Sequence, residues 1–266
     1  MASAAERSRP LVAAVLAIGN ELLSGKVEDR NTRTCIAELR AVGTPVGEVR
    51  IVADELEAIA RAVRELSARF DHVFTSGGVG PTHDDVTLPA IARAFGEPLV
   101  RHPRLEAAIR AYYRERTDEQ LLRMADLPRS AVLLEAAGLA VPVVTVRNVV
   151  VLPGEPTIFR RKLAAIRERF RQSPIFLRRV FTRLDEAALA RTLAELERTH
   201  GVSVGSYPRY DTEEYAVMVT IESREQDRVA RALAALLSAL PPEQVVRVDS
   251  GAPPQQVQQE PAAGAG

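Results

Sequence analysis

The sequence has a single cysteine, Cys35, so no disulfide can close within the chain. Its only lysines are Lys26 and Lys162; arginine supplies the other basic residues, which with the many alanines reads as codon bias rather than chemistry. Neither charge sign is in excess: 35 basic residues balance 35 acidic ones. That balance argues against a nucleic-acid partner, which a broad basic face would announce, though it leaves room for a local basic pocket. No apolar run is long enough to cross a bilayer, and no secretory leader pattern is present. The expectation is a cytoplasmic protein with no membrane partner. No His/Cys/Asp spacing suggests zinc, no GxSxG elbow occurs, and the GxxxxGK[ST] and GxGxxG phosphate loops are both missing. What remains is ordinary for a globular chain: 266 residues, 46% hydrophobic and 26% charged. That length allows one large domain or a medium one plus a small one. Cys35 falls in a helical pattern, where buried packing is its expected role.

Residues 1–10 read as a flexible start. Residues 11–18 (LVAAVLAI) are continuously apolar, as in a strand buried on both faces, and end at Gly19. A polar loop is expected over 20–30, then a helix capped by Asn31 or Thr32 that runs to Val42 and stops at Gly43. A strand at 46–52 leads to Asp54 and Glu57, spaced like a capping box before an amphipathic helix. A strand at 72–75, a glycine-rich loop and a helix to Gly96 follow. This β-α-β-α-β-α order predicts a parallel sheet covered on both faces, with the loops after the strands gathered on one edge. Residues 101–129 read as a polar-faced helix, 141–152 as two strands or a hairpin, and 157–170 as a helix. The first domain is thus expected over 11–172. Over 175–248 the order is β-α-β-β-α-β, that of a split βαβ, ferredoxin-like unit. Residues 249–266 are rich in Gly, Pro, Ala and Gln and are expected to be a disordered tail. The predicted fold class is α/β, a three-layer parallel-sheet domain followed by a small α+β domain.

Three strand-to-helix loops carry the chemistry. Residues 75–87 (TSGGVGPTHDDVT) combine glycines, whose backbone N–H groups can cradle an anion, with the pair Asp84 and Asp85. Those carboxylates would repel a bare phosphate. They make sense if a divalent cation bridges carboxylate and phosphate oxygens, and a tight turn with helix-capping acids is the competing reading. Residues 19–25 (GNELLSG) place Glu21 where it can meet a ligand hydroxyl or ring, or simply flank a turn. Residues 152–156 (LPGEP) put a proline at a helix start, which is common for structural reasons alone.

Taken together, these segments resemble the molybdopterin-binding family typified by MogA, MoaB, the gephyrin G domain and the corresponding domain of MoeA. The GGxGPTxDDxT loop is matched from Gly77 to Thr87, the LPGxP loop from Leu152 to Pro156, and the GDExL start by Gly19-Asn20-Glu21-Leu22. The likeness is strongest to the CinA N-terminal domain and the front domain of eukaryotic FAD synthase. The runs Gly80 to Thr87, Arg147 to Val149 and Gly205 to Pro208 look like the FAD synthase version. The resemblance implies a ligand-binding set of Gly19, Asn20, Ser76, Gly77, Gly78, Gly80, Pro81, Thr82, Pro153 and Gly154. It implies Asp85, Asp54 and Glu21 as catalytic acids and Asp84 with Asp85 as metal ligands, for Mg²⁺ or else Mn²⁺ or Co²⁺. For Asp54 the helix-capping role stands beside the functional one. Two positions depart from the family. Asn20 replaces an Asp, and Glu155 stands where relatives carry a small apolar residue.

The function implied is a metal-dependent pyrophosphatase acting on ADP-ribose or FAD-type dinucleotides. The alternatives are molybdopterin binding with adenylyl transfer, and a non-catalytic nucleotide-binding module. The chain is expected to hold neither the CinA amidase domain nor the adenylyl-transferring domain of FAD synthase. Partners are a nucleotide or pterin phosphate and, as in relatives, a possible homo-oligomer. His83 and His102 read as exposed polar and turn residues. Tyr207 and Tyr210 could stack on a ring or pack between domains.

Overall fold

The computed structural model describes residues 9–211 and 213–250. The expectations for 1–8 and 251–266 lie outside the described residues. The chain divides into two compact units at Gln172/Ser173.

The first unit runs β1 (Ala13–Ile18), a single helical turn α1 (Asn20–Leu23), α2 (Arg30–Ala41), β2 (Val46–Val52), α3 (Leu56–Arg69), β3 (His72–Ser76) and α4 (Thr87–Phe95). It continues through β4 (Leu99–Arg101), α5 (Pro103–Tyr113), α6 (Glu119–Leu122), β5 (Asp126–Pro128), β6 (Val132–Leu134), β7 (Val143–Val146), β8 (Val149–Leu152) and α7 (Pro156–Ile166). Six strands form one sheet in the order β2-β1-β3-β8-β7-β6. β2, β1, β3 and β8 are mutually parallel, whereas β7 is antiparallel to both β8 and β6. The sheet is therefore mostly rather than wholly parallel. A two-residue turn joins β7 to β8, and so short a connection can only reverse the chain.

The apolar run of β1 is explained by its place. Alternate side chains point to opposite faces. Ala14, Leu16 and Ile18 meet α3, α4 and α5 through Ile59, Val63, Ile91 and Ile109, while Ala13 and Val15 meet α2 and α7 through Cys35, Leu39, Phe159 and Leu163. Two cores sandwich the sheet, which gives three layers. All six β1 residues are buried, whereas edge strand β2 alternates between partly buried and exposed. Cys35 packs fully buried, and that burial pushes its thiol pKa far up, so it is inert as a nucleophile.

Several local expectations are corrected. Asn20–Leu23 is helical rather than loop. α2 is capped by Asp29, whose carboxylate accepts the Thr32 N–H at 2.9 Å, not by Asn31 or Thr32. No capping box opens α3: it begins behind Glu55 with no side-chain cap, and Asp54 points elsewhere. The stretch 101–129 is not one helix. α5 stops at Arg114, which takes the left-handed φ of 52°, and β5 then pairs antiparallel with β4. Arg101 holds this excursion by reaching Asp126 (2.5 Å) and Glu119 (2.9 Å). His102 caps α5 and is not a turn residue. Arg9, expected in the flexible start, forms a two-bond ion pair with Asp71. Asn148, in the β7–β8 turn, donates to the Ser67 and Phe70 carbonyls and ties the hairpin to the end of α3.

Lys162 on α7 turns inward and donates to the Val141 and Pro142 carbonyls at 2.9 and 2.8 Å. Burial pushes its pKa down to about 8. An unfolded lysine titrates near about 10.4. Between those values the unfolded chain holds more protons, so stability should rise as pH climbs through this window. ¹³C-dimethylation followed by NMR should place the titration of Lys162 near pH 8. A Lys162 curve at the unfolded-lysine value would refute the shift.

The second unit runs β9 (Phe176–Thr182), α8 (Glu186–His200), β10 (Ser203–Pro208), β11 (Val217–Ser223), α9 (Gln226–Ala239) and β12 (Val245–Ser250). Its antiparallel sheet has the order β10-β11-β9-β12, and both helices pack on one face through Leu189, Leu193, Val229 and Leu236. β12 extends to Ser250, so residues 249 and 250 belong to the sheet rather than to the tail.

Candidate functional site

Because β1, β2, β3 and β8 run parallel and adjacent, the loops that follow them share the carboxyl edge of the sheet. Hydrogen bonds tie those loops together. Asp54, after β2, accepts the Asn20 backbone N–H at 2.7 Å and so joins the first and second loops. Gly77 N–H donates to Leu152 O at 3.2 Å, joining the third loop to β8. Gly154 comes so near that a Cβ on it would sit 3.4 Å from the Gly77 Cα.

Asn31 completes the lattice. Its side-chain nitrogen, on a residue only 7% exposed, donates to Ser76 Oγ at 2.9 Å and to Gly154 O at 2.7 Å. The first turn of α2 thereby clamps the glycine loop to the LPG loop. Sequence reasoning saw Asn31 only as a helix cap. Nothing in its spacing announces two partners lying 45 and 123 residues away. Asn31→Ala would strand a buried hydroxyl and a carbonyl, each costing about 1–3 kcal/mol. The expected result is a lower midpoint in urea unfolding with an unchanged slope. An unchanged midpoint would show that water replaces the amide without loss.

The glycine loop is built around its own backbone. Gly77 and Gly78 take φ of 109° and 63°, conformations that side-chain-bearing residues rarely adopt. Thr87, at the start of α4, donates its hydroxyl to Gly77 O at 2.9 Å and its N–H to Gly78 O at 3.0 Å. Farther along, Asp85 Oδ2 accepts both the N–H (2.8 Å) and the hydroxyl (2.5 Å) of Thr82. Gln120 from α6 donates to Pro81 O at 2.8 Å, anchoring the loop tip from outside. Among the described residues, the N–H groups of Gly78, Val79 and Gly80 find no acceptor within the chain. Consecutive free amides in a loop are of the kind that can accept an anion.

The acids divide by role. Asp85 shapes the turn with one carboxylate oxygen and keeps the other uncommitted. Asp84 is 61% exposed, and the Thr82 hydroxyl and its own backbone N–H hold its carboxyl below the usual range. Glu21 folds back over Gly19, where an added Cβ would lie 2.4 Å from Glu21 Oε1. Glu155 caps α7: its carboxylate accepts the Thr157 and Ile158 N–H groups, and those two bonds lower its pKa. It is therefore spoken for by the helix. His83 is 98% exposed. In the second unit Tyr207 is half exposed and Tyr210 stands out in solvent. Among the described residues no cluster of three or more His, Cys, Asp or Glu side chains stands ready for an ion. Asp84 and Asp85 nonetheless offer hard oxygen donors of the kind Mg²⁺ uses, one or two carboxylates completed by phosphate oxygens and water. No helix of the described residues is long and apolar enough to cross a membrane.

Comparison with known proteins bears on this edge directly. Residues 14–172 match the family described as a probable molybdopterin binding domain, and residues 174–249 match the middle domain of FAD synthase. A probable FAD synthase of Caenorhabditis briggsae is 30% identical over 258 residues, covering 86% of this chain and 49% of the relative. The chain thus spans about half the length of that relative. Protein TK1472 of Thermococcus kodakarensis is 33% identical over 216 residues, covering 75% of this chain and 86% of the relative. The crystal structure of the protein CinA from Thermoplasma acidophilum aligns with a TM-score of 0.56 at 30% identity, covering 61% of this chain and 99% of that one. The shared α/β fold, the family match over the first unit and the FAD synthase middle-domain match over the second agree with the glycine, GNE and LPG loops, and the chain belongs to the molybdopterin-binding domain family, with CinA-like and FAD synthase relatives.

Proposed function

We propose that the carboxyl edge of the first unit binds the pyrophosphate of a nucleotide-type compound and hydrolyses it in a metal-dependent reaction. ADP-ribose and FAD are the substrates the family likeness suggests. The observation that carries this reading is the pairing of three free loop amides, on Gly78, Val79 and Gly80, with two carboxylates, Asp84 and Asp85, in one turn. Amides alone would suit a bare anion; with the acids beside them, the turn suits an anion that brings a cation. A bound divalent ion would screen the phosphate charge and polarise its oxygens. Asp84 and the free oxygen of Asp85 would hold that ion, and the loop amides would stabilise charge on the phosphoryl oxygens as it develops. Hydrolysis adds a water oxygen to one phosphorus and breaks the bridging P–O bond. It leaves AMP and a second phosphomonoester. On this reading Glu21 or Asp54, from the first and second loops, would take the water's proton.

A second reading is favoured by Asn20. Its backbone is held by Asp54 while its amide stands where family members carry a carboxylate, so the site has one acid fewer. Binding a pterin phosphate such as molybdopterin, or sensing a nucleotide without turnover, needs no such acid. The test is incubation of the pure chain with ADP-ribose and with FAD, each with and without Mg²⁺, Mn²⁺ or Co²⁺, followed by chromatography for AMP. Metal-dependent AMP release supports hydrolysis. Binding of nucleotide or pterin without release under any metal favours the second reading.

A further inference from the structure

Beside the glycine loop lies a cleft of about 200 Å³, walled by α4, α5, α7 and the end of β8. It is not an isolated hollow. Val79 and Leu88 line both this cleft and a smaller one of about 110 Å³ that runs under Gly78, Gly80, Thr82 and Asp85, and Pro153 of the LPG loop borders it. Its walls are apolar apart from a few groups. Tyr112 and Tyr113 meet edge to face at 4.9 Å on one side. On the other, Lys162 spends two of its three N–H donors on the Val141 and Pro142 carbonyls. An apolar, concave space with few fixed polar groups, opening from a phosphate-binding turn, has the character of a seat for a ring. Aromatic walls favour a planar occupant through offset or edge contacts.

We propose that this cleft seats the planar heteroaromatic ring of the compound whose phosphate lies on the glycine loop, with Tyr113 against the ring and the remaining Lys162 N–H directed at a ring carbonyl or ring nitrogen. The proposal rests on the phosphate reading above and deepens it by assigning where specificity resides. The loop amides are blind to what the phosphate is attached to; the cleft is what tells one nucleotide from another. A flavin, a pterin and an adenine share the necessary chemistry, a flat ring edged with acceptors, and the experiment separates them.

The test uses the full chain and Ala140→Trp. Ala140 is exposed at the cleft mouth, so an indole there blocks access without entering the core. The protein has no tryptophan of its own, which makes the new side chain a sole fluorescent reporter. FMN, AMP and inorganic pyrophosphate are each titrated with Mg²⁺ against both proteins, and sedimentation records the oligomeric state. The expected result is that Ala140→Trp weakens nucleotide binding at least tenfold while pyrophosphate binds both proteins alike. Loss for FMN alone identifies a flavin- or pterin-sized ring; loss for AMP alone identifies adenine. The proposal is overturned if FMN and AMP bind the parent no better than pyrophosphate does, or bind the variant as well as the parent. It is equally overturned if the variant dissolves an oligomer and leaves nucleotide binding intact, since the cleft then belongs to an interface between copies. Riboflavin, which has no phosphate, separates the two readings. If it binds in an Ala140→Trp-sensitive way while pyrophosphate fails to bind at all, the cleft stands and the loop assignment falls.

Discussion

Asp85→Asn is expected to abolish metal-dependent release of AMP from ADP-ribose or FAD while leaving the unfolding curve in place. The two effects separate because Asp85 does two things with two oxygens. One oxygen accepts the Thr82 N–H and hydroxyl and closes the turn. An asparagine side chain keeps one carbonyl oxygen, so it can preserve those bonds. What it cannot preserve is the negative charge, and with it the ligand proposed for the cation. Removing a group that acts on charge at a reacting centre typically costs on the order of 10²–10⁴-fold in rate. Asp85→Ala forms the contrast. It removes the acceptor as well, so the turn between Gly80 and Asp85 loosens and the melting temperature should also fall. Chromatographic assay beside circular dichroism distinguishes the two variants. Full activity in Asp85→Asn would sink the catalytic assignment, whatever the stability data say.

Gly77→Ala should give a large loss of stability at the carboxyl edge. At φ of 109° an added Cβ would lie 2.1 Å from the carbonyl oxygen of Ile18, a backbone atom that cannot swing away. The strained conformation alone costs on the order of 1–3 kcal/mol, and the clash adds to it by pushing β1 and β3 apart where their ends meet. For a domain of this size each kcal/mol lowers the melting temperature by roughly 2–4 °C, so the strain alone should lower the transition of the first unit by roughly 2–12 °C, and the clash takes it further. Phosphate affinity should fall with it, because the amides of Gly78, Val79 and Gly80 follow directly in the chain. Gly25, also at a positive φ but with nothing within 4 Å of an added Cβ, serves as the control. If Gly77→Ala melts no lower than Gly25→Ala, the close approach to Ile18 carries no weight.

Most of the architecture was legible in the residues, for identifiable reasons. The run 11–18 announced a strand buried on both faces, and β1 sits between β2 and β3 with a core on each side. Gly43 and Gly96 marked helix ends where they occur, at φ of 82° and 67°. Where periodicity was weak, the reading failed. The strands β4, β5 and β6 are three residues each, too short to show alternation; β5 was absorbed into the helix expected over 101–129, and β4 and β6 on either side of it carried no strand signal. The antiparallel β7 was readable as half of a hairpin, but not as a member of the main sheet.

For the candidate site, sequence alone determined which loops matter, because strand-loop-helix order and the glycine, proline and acidic residues are local properties. It left open what each polar side chain holds, because that depends on groups brought near only when the sheet closes. Asp54 and Glu57 have the spacing of a cap, yet Asp54 turns to the Asn20 N–H, 34 residues away. Glu155 could have joined the acids, yet two backbone N–H groups of its own helix claim it. Asn31 carried no signal beyond a helix start, and the fold makes it the clamp between two loops. Local composition decides where a chain can turn and where it must be buried. Only the packed sheet decides which donor finds which acceptor, since a hydrogen bond is a matter of a few ångströms in space and is indifferent to distance along the chain.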